Sequence, residues 1–238
     1  MNEFEMTPQT AFSPAAAATA ERVTAFLRKV YGWMFVGLGV TAAVAVGVAG
    51  SPALVQAIFG NRILFFGLII AELGLVFYLS ARVNKLAPAT ASGLFLLYSA
   101  LNGATLAMIF LAFTGTSIAT TFFVTAGMFG ALALYGSTTK RSLAGVGQFV
   151  FMGLIGVVLA SLVGMFVKSE GLQFVISIVG VIVFTGLTAW DAQRLKAMAV
   201  AVPEGQSGSY AVVGALSLYL DFINLFLFML RFLGGRRD

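Results

Sequence analysis

The feature that most constrains this chain is a succession of long, predominantly apolar runs, at about 30–50, 62–81, 88–112, 117–135, 146–167, 171–192 and 211–233. Each is close to the ~20 residues a helix needs to cross ~30 Å of hydrocarbon. The runs are continuous instead of alternating, and an open sheet would leave backbone groups unpaired in lipid, so helices are predicted over barrel strands. Composition agrees: 60% of the 238 residues are hydrophobic and 10% charged, with a mean hydropathy of +0.99. A soluble fold of this length needs a charged surface that 23 charged side chains cannot supply, so lipid covers the remainder. The fold class is all-α integral membrane protein with seven transmembrane helices.

The connections are short and marked by breakers or charge: Gly50-Ser51-Pro52, Asn84-Lys85 ahead of Pro88, Thr114-Gly115-Thr116, Lys140-Arg141, Lys168-Ser169-Glu170 and the stretch from Pro203 to Gly208. None holds a further domain. Residues 1–28, rich in Ala, Thr, Ser and Pro, lack the basic start and short apolar core of a signal peptide. They are expected to form a disordered tail ending in a short amphipathic lead-in, with one transmembrane domain over residues 29–238.

The net charge of +5 would in a soluble protein raise nucleic-acid binding. Here the basic residues sit between apolar segments, where they control topology, and no nucleic-acid partner is expected. With a cytoplasmic amino terminus, that side receives Arg22, Arg28, Lys29, Arg82, Lys85, Lys140, Arg141, Arg194 and Lys196, against Arg62 and Lys168 in the opposite loops. Arg231, Arg236 and Arg237 run against this bias, which leaves open whether the last segment spans or dips in and returns. The chain has no cysteine and no histidine. Disulfides, thiolate metal sites, Ser-His-Asp and Cys-His catalysis and the zinc proteases are therefore excluded, and any proton sensing falls to carboxylates.

Ionisable residues inside spans cost roughly 2.5–3.5 kcal/mol on insertion scales, so each calls for a functional hypothesis. Three are acids, Glu72, Asp191 and Asp221, and Arg82 closes the second segment. In the seventh segment Gly214, Ser217, Asp221 and Asn224 follow the spacing of one helix face. In the sixth, Ser177, Gly180, Thr188 and Asp191 make a second stripe. Helices joined by a short loop are normally antiparallel neighbours, so the stripes are expected to meet with Asp191 and Asp221 at similar depth. Two carboxyl groups meeting where water is scarce cannot both ionise freely and would share a proton. Loss of that proton leaves oxygen ligands suited to a hard divalent cation such as calcium. The plainer alternative is that the pair bonds to neighbouring side chains as helix glue. Glu72 and Arg82, about 15 Å apart along one helix, cannot pair with each other. Arg82 is expected to reach Asp191 or to act as an interfacial anchor.

The segment Ala215-Leu216-Ser217-Leu218-Tyr219-Leu220-Asp221-Phe222-Ile223-Asn224-Leu225-Phe226 resembles the most characteristic stretch of the Bax inhibitor-1 family of membrane proteins. Thr188-Ala189-Trp190-Asp191-Ala192-Gln193-Arg194-Leu195-Lys196 is similar to the family's other hallmark, with Trp190 where many members carry Tyr. The resemblance runs from about Arg22 to Leu233 and implies six helices around a central hydrophobic one and a pH-sensitive calcium leak with a di-aspartyl sensor. Carried over by position, Asp191 and Asp221 would be that sensor, Arg82 the basic group that engages it and Glu72 an acid lining the path. It also implies a bacterial inner-membrane location. A related bacterial branch resembles modulators of a membrane-anchored AAA protease of the FtsH type, so a non-transporting regulator of such a partner is the rival expectation. An enzyme is not expected: the Asp pair lacks the Gly-x-Gly-Asp context of an intramembrane aspartyl protease, and the seventh span has no Lys for a retinal Schiff base.

Overall fold

In the computed structural model the described residues are 14–167, 169–235 and 237. The first half of the expected tail, Lys168 and Arg236 lie outside them. The elements are α1 (Pro14–Ala49), α2 (Pro52–Phe59), α3 (Arg62–Arg82), α4 (Pro88–Ala112), α5 (Gly115–Thr138), α6 (Ala144–Phe166), α7 (Glu170–Ala201) and α8 (Ser207–Leu233). Seven of these are long and apolar enough to span a membrane, and they correspond one to one with the seven predicted segments. The lead-in at residues 14–28 is not a separate element: α1 runs through it without a break.

Local chemistry fixes the ends. Ser51 accepts from Leu54 N and Pro52 occupies the first turn of α2, a short helix that sequence reading placed in a loop. Asn61 Oδ1 accepts from Ile63 N and Leu64 N at the start of α3, and Thr114 Oγ1 accepts from Ser117 N at the start of α5. These caps satisfy donors that water cannot reach once a helix enters lipid.

α8 is the central helix. Of its most apolar window 72% is buried, against 6% for α3 and 17% for α6, and it packs on α1, α4, α5 and α7. The outer two helices are held indirectly, α3 mainly on α4 and α6 on α7. The helix is single, continuous and long enough to cross, so the last segment does not turn back. Its end is tied to the α4–α5 connection, where Thr114 N donates to Gly235 O and Arg237 N to Ala112 O. At the opposite end, the Arg22 guanidinium donates to Val202 O and Ser209 Oγ to Leu86 O, bringing the start of α1 together with the α3–α4 and α7–α8 connections.

Small residues set the closest approaches. A Cβ on Gly136 of α5 would lie 2.0 Å from the carbonyl oxygen of Ala189 on α7, and one on Gly103 of α4 would lie 2.6 Å from the carbonyl oxygen of Thr41 on α1. Both neighbours are backbone and cannot rotate away, so glycine allows these helix pairs to touch, which is how helices gain contact energy in a solvent as apolar as their own side chains. Gly39, Gly127, Gly130 and Gly156, which stand among the small residues of the spans, face open space.

Candidate functional site

The C-terminal third of α7 and the middle of α8 are brought together where α5 also packs on both. Asp191 and Asp221 are buried on the facing sides, with 8% and 5% of their surfaces exposed, and are close enough to interact electrostatically. Among the described residues, the buried atoms Asp191 Oδ1 on α7 and Asp221 Oδ2 on α8 lack a hydrogen-bond partner, as does Thr125 Oγ1 elsewhere on α5. Unpaired buried oxygens are rare in native structures and each needs a physical explanation. Beside Asp191 lies a cavity of about 20 Å³ bounded also by Arg194, Gly214 and Ser217. That is roughly the space of one water molecule.

Of the two sequence stripes, Asp191 meets Gly214 and Ser217 around the small cavity, whereas Gly180 packs on Phe228 and the Ser177 and Thr188 hydroxyls donate within α7 to Gln173 O and Phe184 O. Asn224 is a correction. Its amide donates to Leu220 O within α8 at 2.8 Å, and its side chain faces a different cleft, lined by α6 and α7 residues such as Leu154 and Gln173. Asn224 keeps nearly the angle of Ser217 but lies about 10 Å further along α8, beyond the level of Asp191.

Arg82 is the second correction. It is exposed at the end of α3, which has no extensive contact with α7, and it makes no ion pair among the described residues. The cation beside the pair is Arg194, whose Nη1 lies 3.7 Å from Asp191 Oδ1. That separation is too long for a hydrogen bond. Arg194 also stands over the Trp190 ring, 5.6 Å from its centroid. It is three residues beyond Asp191 on the same helix, a spacing that places it one turn away.

The rest of the Asp191 motif is structural. Gln193 Oε1 accepts from Leu143 N and its Nε2 donates to Arg141 O, both at 2.8 Å. Lys196 Nζ donates to Ser137 O at 2.9 Å. The motif therefore pins the α5–α6 connection to α7 just beyond the carboxyl pair.

Glu72 occupies a separate buried site. Its Oε2 accepts from Asn102 Nδ2 at 3.1 Å and its Oε1 from Thr105 Oγ1 at 3.0 Å, both on α4. Asn102 Oδ1 in turn accepts from the Tyr219 hydroxyl of α8 at 2.9 Å, which meets the Thr41 hydroxyl of α1 at 2.6 Å. The Thr41 hydroxyl also lies 2.9 Å from Ser99 O, so the two hydroxyl protons of Thr41 and Tyr219 are shared among three contacts. The chain from Glu72 to Thr41 links four helices through the middle of the bundle. Sequence reading missed Thr41, Asn102, Thr105, Thr125 and Tyr219. Ser99, Asn102 and Thr105, each three residues apart on α4, were the available signal.

Comparison with known proteins agrees with this architecture. Residues 23–238 match the family described as inhibitor of apoptosis-promoting Bax1. The chain is 54% identical over 215 residues to the inner membrane protein YbhL of Escherichia coli (strain K12), covering 89% of this chain and 92% of that protein. It is 46% identical over 215 residues to an uncharacterized protein of Borreliella burgdorferi, covering 90% and 93%. Over 216 residues it is 40% identical to an uncharacterized membrane protein of Streptococcus pyogenes serotype M1, again covering 90% and 93%. With seven spanning helices and a family match over nearly its whole length, the chain is a multi-pass integral membrane protein and belongs to the Bax inhibitor-1 family.

Proposed function

We propose that the protein is a passive calcium leak whose opening is controlled by a proton held between Asp191 and Asp221. The observation that carries this reading is the pair of orphaned carboxylate oxygens on facing helices, Asp191 Oδ1 and Asp221 Oδ2. A proton shared across the pair, or a cation bound to it, would satisfy what the surrounding protein leaves unsatisfied. Calcium is the cargo that fits the donor chemistry. The Ser217 hydroxyl lines the cavity with Asp191. Together they offer hard oxygen ligands, which calcium takes in sets of about 6–8, some of them water.

The cavity of about 20 Å³ beside Asp191 admits no hydrated ion. Conduction therefore requires α7 and α8 to separate at the level of the pair. Two unshared negative charges there repel one another and supply the force for that separation. Arg194, 3.7 Å from Asp191, competes with an arriving cation for the same oxygen. The amino terminus is placed on the cytoplasmic side by the excess of basic residues at that end.

The test is calcium entry into liposomes holding the purified protein, measured from pH 5 to 8. The expected result is a flux that varies with pH in the native protein and no longer varies in Asp191→Asn and Asp221→Asn. Pure protein with no calcium flux at any pH in that range overturns the proposal and leaves a regulator of a membrane partner as the surviving role.

A further inference from the structure

A second cleft, on the opposite side of α8 from the Glu72 network, is not used by the proposed leak. α6 and α8 each pack on α7 but have no extensive contact with each other, and the gap between them is a cavity of about 520 Å³. Leu162 and Ser161 of α6 form one wall, and Phe184 of α7 closes the inner end. Asn224 stands partway along, and Gln173 and Arg231 sit at the rim. From Gln173 to Phe184 the cleft runs about 17 Å along α7, from near the membrane surface remote from the amino terminus toward mid-bilayer.

Its chemistry is divided by depth. Phe184 stacks on Phe228 with ring centroids 5.8 Å apart, so the inner part is aromatic and apolar. At the rim Arg231 lies over the Phe228 ring, its guanidinium carbon 5.8 Å from the centroid. Among the described residues no carboxylate pairs with Arg231, and it is the single charged one lining the cleft. The mouth opens sideways between lipid-facing residues: Leu162 and Met165 of the wall are 52% and 62% exposed.

We infer that the α6–α7–α8 cleft binds one anionic phospholipid, with its phosphate on Arg231 and an acyl chain lying along α6 toward Phe184. A guanidinium presents forked donors that match phosphate oxygens, and a cation at a membrane surface with no protein partner attracts an anion. The apolar inner part suits a hydrocarbon chain, and the lateral mouth admits an occupant from the bilayer. With no carboxylate in the lining, the site has nothing to hold a cationic choline headgroup, which favours a lipid of net negative charge such as phosphatidylglycerol.

The proposal is tested by native mass spectrometry of the full-length protein in detergent, with phosphatidylglycerol, phosphatidylcholine or inorganic phosphate added at matched concentrations. The native protein is expected to retain phosphatidylglycerol about tenfold better than phosphatidylcholine, and Arg231→Gln to lose about tenfold of that retention, the scale of one charge-assisted contact. Ser161→Phe keeps the charge and fills the cleft, and it is expected to lose retention equally. Should Arg231→Gln fail to fold, Ser161→Phe carries the test alone. Equal retention of the two lipids, undiminished retention in Ser161→Phe, or complete displacement of phosphatidylglycerol by millimolar inorganic phosphate each overturns the assignment.

Discussion

The bundle buries acids in two places, and they are treated in opposite ways. Glu72 has a donor on each oxygen and is the end of a chain of hydrogen bonds reaching Tyr219 and Thr41. Asp191 and Asp221 each keep an oxygen with no hydrogen bond, that of Asp191 having only the longer ion pair to Arg194. A fully satisfied buried network rigidifies the helices it joins, whereas an unsatisfied one changes state when a proton or ion arrives. The same residue class thus forms a clamp between α3, α4, α8 and α1, and, between α7 and α8, the pair proposed above to respond to protons.

Mutation of the acids tests this contrast most directly. Asp221→Asn is expected to abolish the pH dependence of calcium flux, while Glu72→Gln leaves the shape of the pH profile intact; a flat profile in Glu72→Gln with a normal one in Asp221→Asn would reverse the two roles. Next in size is Gly136→Val, where the added side chain meets the Ala189 carbonyl two residues from Asp191. It is expected to cost about 1–3 kcal/mol, read as a lower thermal unfolding temperature in detergent, because a backbone neighbour has to move. Asn102→Ala removes one donor from Glu72 and the acceptor of Tyr219. Its expected cost is about 1–2 kcal/mol in the same measurement with the flux profile unchanged in shape. Gln193→Ala frees the α5–α6 connection, with an expected loss of about 1 kcal/mol and faster proteolysis near Arg141. Arg82→Gln is expected to leave the flux profile unchanged, since Arg194 is the cation at the pair.

Several features were legible before any coordinates. Gly214, Ser217 and Asp221 announced their shared face on α8 because helical spacing is a property of the chain alone. Arg82 and Asn224 were misplaced for a common reason: which residues from different helices meet depends on crossing angle and on which helices are neighbours, and neither is written in local spacing. Tyr219 was passed over because an aromatic residue in an apolar run reads as packing, and its polar role exists only through Asn102 and Thr41, which are 117 and 178 residues away in sequence.

By itself the sequence determined the solvent, the number of spans and the helical periodicity, because lipid forces backbone groups to pair within each segment. It also determined which residues are too costly to face hydrocarbon. Only the tertiary structure decided that α8 is the axis of the bundle, that Arg194 and not Arg82 stands beside Asp191, and that Glu72 is satisfied while the aspartates are not. Those outcomes depend on contacts between distant helices, selected by how glycines and side chains fit one another across the bundle.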